Sequence, residues 1–175
     1  MAVSQVTGAR TVWVSDVAER NRKGSLIGNA PVILAHRYPG IPNVGDITAV
    51  DWGAVEPVDI ITGGYPCQPL SHAGRRQGQA DERHLWPHVA DILAIMRPRI
   101  VVCENVRGHL TLGFDEVVRD LHQLGYDIRW TLLRASDIGA CHQRARLFVL
   151  GVQRERRVCS GPDRRGGLGS GGPGA

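Results

Sequence analysis

Three short polar clusters carry residue types that do chemistry: Pro66-Cys67-Gln68, Glu104-Asn105-Val106 and His142-x-Arg144-x-Arg146. The first follows the apolar run Val58-Asp59-Ile60-Ile61-Thr62, which reads as a buried strand, and the pair Gly63-Gly64. The two glycines are expected to break that strand and turn the chain sharply, and Pro66 to stiffen the turn. Cys67 would then stand on a rigid loop at the carboxyl end of a strand, where open α/β sheets place their ligands. A thiol held there is a candidate nucleophile. A lone cysteine beside a strand is more often an inert, half-buried residue, so the case rests on its partners.

Glu104 follows directly on Ile100-Val101-Val102-Cys103, another buried-strand run, and supplies a carboxyl; a solvated strand-end acid is the alternative. Arg144 and Arg146 precede the run Leu147-Phe148-Val149-Leu150, with a solvated basic strand edge as the alternative. Asp16 closes the strand-like run Thr11-Val12-Trp13-Val14-Ser15. An acid there can hold a ribose hydroxyl or simply cap the next segment. Asp46, in Val44-Gly45-Asp46-Ile47, is a second acid on a short strand or turn.

The remaining elements must position these clusters. Residues 1–9 hold no complete element, 18–31 read as a charged loop, and Val32 to His36 as a short helix before Pro39. Residues 72–84 are polar, basic and Gly-containing and read as a mobile loop. Trp86, Val89, Ile92, Leu93 and Met96 recur at helical spacing and mark a core face, ended by Pro98. Phe114, Val117, Val118, Leu121 and Leu124 mark a second amphipathic helix closed by Gly125. Tyr126, Ile128, Trp130 and Leu132 alternate as a strand does. Strands alternating with helices predict a parallel-dominated α/β sheet.

The chain has 175 residues, 42% hydrophobic and 22% charged, enough for one domain with a core. Four cysteines stand far apart without a CxxC pair, which disfavours zinc and thioredoxin-type readings. No secretory signal and no membrane-length apolar run is visible, so a reducing cytoplasm is the expected location. Net charge is +4, and all but one of the 21 basic residues are arginine. That suits a polyanionic partner without identifying one.

In order and in local sequence, the three clusters resemble the DNA (cytosine-5) methyltransferase family, over roughly residues 10–151. The resemblance implies an α/β, Rossmann-like S-adenosylmethionine-dependent methyltransferase sheet with helices on both faces, acting on double-stranded DNA in a restriction–modification setting. It gives Cys67 the nucleophile's role at cytosine C6. Glu104 becomes the acid at N3, and Arg144 the contact to O2 or phosphate. Arg146 becomes a brace for the Cys67 loop. Asp16 is assigned to the donor's ribose, Asp46 and Ile47 to its adenine, and Pro66 and Leu85 to its methionine end. The target base must be flipped out of the duplex.

Against the family pattern, the usual first strand with its Gly-rich loop and the target-recognition region are expected to be lacking. The expected division is a stub at 1–9, a partial catalytic core at 10–151 and a disordered Arg/Gly-rich tail at 152–175. The alternatives are a non-catalytic DNA-binding remnant, a fragment completed by a complementing polypeptide, and a tRNA cytosine-5 methyltransferase.

Overall fold

The computed structural model describes residues 2–20, 26–66 and 85–154. A short helix α1 (Ala2–Thr7) opens the chain, where no element was expected. The run Thr11–Ser15 does not become a strand. Only Val14 pairs, in an isolated parallel bridge with Asn43. The charged stretch read as a loop contains the antiparallel pair β1 (Glu19–Arg20) and β2 (Leu26–Gly28), then the start of helix α2 (Ala30–Arg37).

The apolar runs form a four-stranded sheet from β3 (Ile60–Gly64), β4 (Ile100–Val106), β5 (Tyr126–Arg134) and β6 (Ala145–Gln153), in the order β3-β4-β6-β5. Helix α3 (Trp86–Met96) lies between β3 and β4 in the chain, and such a crossover returns the strand parallel. The two other pairings are antiparallel, so the parallel-dominated expectation fails. The reason is the short link between β5 and β6, a 3-10 turn (Ala135–Ile138) and a few further residues. A link of that kind reverses the chain instead of crossing over.

Helix α4 (Phe114–Gln123) begins after Gly113 (φ 82°), with Asp115 and Glu116 in its first turn. Those acids complement the positive end of the helix dipole. Gly125 (φ 91°) closes it, as expected. Arg97 (φ 47°) closes α3 in the left-handed region, and Pro98 blocks further helix.

Helices α3 and α4 cover one face of the sheet. Trp86, Leu93, Phe114, Val117 and Leu121 pack there against Val101, Cys103, Tyr126, Leu147 and Val149. A smaller cluster joins Trp52 to Ile92 and Met96, with Trp13, Val44 and Ile47 against it. The opposite face was expected to carry helices too. Among the described residues Leu133, Leu150 and Val152 stand exposed along it, and α2 buries no residue. Among the described residues no helix is long and apolar enough to cross a membrane.

Candidate active site

Strand β3 does not break at its glycines. It runs through Gly63 and Gly64, which pair with Cys103 and Glu104 of β4. Gly64 leaves room there for a close approach by Glu104. A Cβ built on it would lie 3.2 Å from Glu104 Oε2 and 3.7 Å from the Glu104 carbonyl oxygen. The other carboxylate oxygen, Oε1, accepts from Arg146 Nε at 2.7 Å. Arg146 reaches Glu104 because β6 runs antiparallel beside β4, in a register that pairs Arg146 with Val106 and Phe148 with Glu104. The pair is partly open to solvent, with side-chain exposures of 26% for Arg146 and 41% for Glu104. Glu104 is thus held between a glycine and an arginine at the carboxyl edge of two parallel strands, where such sheets bind ligands.

Tyr65 follows Gly64 and is buried. Its carbonyl accepts from Asn105 Nδ2 at 3.1 Å, while Asn105 Oδ1 accepts the Val106 N–H at 2.8 Å. Asn105 is itself buried, so its amide is spent on backbone groups. The Tyr65 hydroxyl lies 2.8 Å from Nε2 of buried His109, whose Nδ1 is 2.9 Å from the Leu112 carbonyl. A carbonyl only accepts. Nδ1 therefore carries the proton, and Nε2 accepts from the tyrosine. The ring of Tyr65 also packs on Trp86, centroids 5.1 Å apart. Trp86 in turn donates its Nε1–H to Asp120 at 2.8 Å.

A second polar group lies on the segment that packs against β3 and α3. The bridge between Val14 and Asn43 sets the chain after Val14 beside the chain after Asn43. Asn43 Oδ1 accepts the N–H groups of Asp16 and Gly45, and its Nδ2 donates to the Asp16 carbonyl. Asp16 and Asp46 are thereby brought onto adjoining turns. Asp16 Oδ1 takes the Val17 N–H at 2.8 Å. Asp46 Oδ1 takes the N–H and hydroxyl of Thr48, which hold its carboxyl below the usual range. The Ile47 carbonyl accepts from Trp52 Nε1 at 3.1 Å, and its side chain joins the Trp52 cluster.

Of the residues expected from sequence, Glu104 and Arg146 are in direct contact, and Asp16, Asp46 and Ile47 share one pair of turns. Arg146 was expected to brace the Cys67 loop. Its partners among the described residues are Glu104 and the Ala145 carbonyl. Arg144 stands exposed immediately before β6, Pro66 is exposed, and Leu85 packs partly into the core at the start of α3. Cys67, the 71–84 loop and the tail from 155 lie outside the described residues. Cys103 is no rival nucleophile, since burial pushes its thiol up to about 12. Among the described residues no cluster of His, Cys, Asp and Glu could hold a metal. Asn43, Tyr65 and His109 were not singled out from sequence. Each acts on a residue distant in the chain, and only an Asn at a turn gives any local signal.

The family model described as C-5 cytosine-specific DNA methylase matches residues 26–164. The chain belongs to this family. Among curated relatives, the Type II methyltransferase M.HgiBI of Herpetosiphon aurantiacus is 35% identical over 118 residues, covering 65% of this chain and 26% of that protein. The Type II methyltransferase M.NlaIV of Neisseria lactamica is 34% identical over 131 residues, covering 68% and 31%. The chain thus spans about a third or less of their length. The Dnmt2 methyltransferase of S. pombe superposes with a TM-score of 0.65 at 19% identity, over 87% of this chain and 46% of that one. A putative DNA modification methyltransferase encoded within an E. coli prophage superposes with a TM-score of 0.55 at 21% identity, over 82% and 47%. These two likenesses bear on the fold, and they make the sheet described above Rossmann-like.

Proposed function

We propose that this chain is a DNA cytosine-5 methyltransferase, or the catalytic part of one, acting on a cytosine flipped out of double-stranded DNA. The observation that carries the reading is the Glu104–Arg146 pair, formed between β4 and β6 at the carboxyl edge of β3 and β4, beside the strand β3 that leads into the Cys67 segment. Cytosine C5 is a poor nucleophile. Addition of the Cys67 thiolate at C6 makes C5 enamine-like, and Glu104 relieves the charge that develops at N3. Arg146 holds Glu104 in place, and exposed Arg144 contacts O2 or the phosphate backbone. Once C5 has formed its bond to the donated methyl group, loss of the C5 proton to a base expels the thiolate and restores the aromatic ring.

S-adenosylmethionine would supply the electrophilic methyl group. The acceptor chemistry of the paired turns fits it: among the described residues, Oδ2 of neither Asp16 nor Asp46 has a hydrogen-bond partner. Asp16 would take the ribose hydroxyls, Asp46 and Ile47 the adenine, and Pro66 and Leu85 the methionine end. A DNA substrate fits a cytoplasmic location. The exposed apolar residues Leu133, Leu150 and Val152 support a further polypeptide segment, in the same or a complementing chain, packed on the open sheet face in the active protein.

A covalent trap tests the reading. Protein, S-adenosylmethionine and duplex DNA carrying 5-fluorocytosine are combined, and a denaturant-stable protein–DNA adduct is sought. The fluorine blocks the final elimination, so a working enzyme stops as the adduct. An adduct that disappears in Cys67→Ala and slows sharply in Glu104→Gln is expected. No adduct from folded protein, with or without the complementing segments supplied, would overturn it.

A further inference from the structure

We propose that Tyr65 and His109 are positioning residues for the nucleophile, a role that rests on the function proposed above. Tyr65 stands two residues before Cys67 and is fixed at both its backbone and its side chain. Asn105, the neighbour of Glu104, holds its carbonyl. His109, on the 3-10 turn Arg107–Thr111 after β4, accepts a hydrogen bond from its hydroxyl and itself donates to the Leu112 carbonyl. Trp86, one residue past Leu85 on the far side of the Cys67 segment, packs on its ring. The two ends of that segment therefore meet at Tyr65, which Asn105 ties to the strand bearing Glu104.

Packing alone does not require this arrangement. Phenylalanine at 65 and leucine at 109 would fill the same buried space without two polar groups that must each be satisfied. What the hydrogen bonds add is direction. The hydroxyl-to-Nε2 bond and the Nδ1-to-carbonyl bond lock the tyrosine ring against a strand end whose next residues lead to the thiol. Asn105 and Glu104 are adjacent, so the same strand end fixes the acid's side chain and the root of the nucleophile's segment. Reaction rates depend steeply on such placement.

The test uses the full chain, with Tyr65→Phe, His109→Leu and His109→Gln. The Gln side chain keeps an acceptor for the tyrosine hydroxyl. In the 5-fluorocytosine trap, Tyr65→Phe and His109→Leu are expected to slow adduct formation about tenfold while the DNA concentration at half-saturation stays unchanged. His109→Gln is expected to recover most of the rate. A second readout does not depend on turnover: peptide-resolved alkylation by iodoacetamide, with exposed Cys141 of the same molecule as reference. A loosened root is expected to raise the Cys67-to-Cys141 rate ratio about threefold or more in the first two variants and to leave it unchanged in His109→Gln. Variants that melt at lower temperature yet keep both the adduct rate and the alkylation ratio would overturn the proposal, reducing the pair to core packing. A wild-type chain that forms no adduct would sink the function reading, while the alkylation ratio would still decide this one.

Discussion

Gly63 and Gly64 are neighbours in one strand, yet alanine should act differently at each. A methyl group on Gly63 meets no described atom within 4 Å, whereas on Gly64 it comes within 3.2 Å of Glu104 Oε2. Neither glycine has a positive φ, so alanine strains the backbone at neither position. In the unfolded chain each substitution removes conformational freedom, which stabilises the protein by about 0.4–1 kcal/mol. At Gly63 nothing offsets that gain. At Gly64 the carboxylate must give way by a few tenths of an ångström, and its other oxygen is already bound to Arg146 at 2.7 Å. The ion pair therefore lengthens or breaks. Because it is partly solvent-exposed, its loss costs no more than about 1 kcal/mol. Gly64→Ala should then lie within about 1 kcal/mol of wild-type stability, and Gly63→Ala slightly above it.

Chemistry should suffer more. A misplacement of about 1 Å can cost on the order of 100-fold in rate, so a shift of a fraction of that at Glu104 should slow adduct formation about fivefold to tenfold. Urea unfolding gives the stability of both variants, and the 5-fluorocytosine trap gives the rate. The reasoning fails if Gly64→Ala traps DNA as fast as wild type, or if Gly63→Ala is slowed equally. It also fails if Gly64→Ala loses more than about 3 kcal/mol, since that would mean the β3–β4 pairing itself had been disrupted.

Other outcomes follow from burial and from titration. Leu121 is fully buried between α4 and the sheet, so Leu121→Ala should cost about 2.7–5 kcal/mol, read as a lowered urea midpoint with unchanged slope. Asp46 has its carboxyl pKa depressed by the Thr48 N–H and hydroxyl. The stability it contributes is present above the unfolded value of about 3.9 and is lost as pH falls through the lower folded value. Asp46→Asn should therefore flatten the acid limb of a melting-temperature profile below about pH 4, modestly because the group is exposed; an unchanged limb would contradict this. Iodoacetamide at about pH 8 should label exposed Cys141 in the native protein and reach Cys103 only on unfolding, because burial holds that thiol's pKa at about 12.

The sequence by itself determined the parts whose signals are local. Helical spacing from Trp86 to Met96 and from Phe114 to Leu121 marked α3 and α4, with Pro98 and Gly125 at their ends, because one amphipathic stripe must be buried whatever lies beneath it. The order of the Cys67, Glu104 and Arg144-x-Arg146 clusters carried the family for a related reason, since chemistry restricts residue type at each place. Other features depended on partners far along the chain. Glycine at 63 and 64 reads as a break, but at Gly64 the residue serves a close approach by Glu104, and strand pairing holds both positions extended. The direction of β6, which delivers Arg146 to Glu104, follows from a short reversing link and not from its own apolar run. Thr11–Ser15 has strand composition but contributes a single bridge, since a strand forms only where a neighbour offers its backbone groups. Tyr65 and His109 lie 44 positions apart and carry no pattern that links them. Their hydrogen bond exists because β3 and β4 pair in parallel and bring the two strand ends together, which no local propensity encodes.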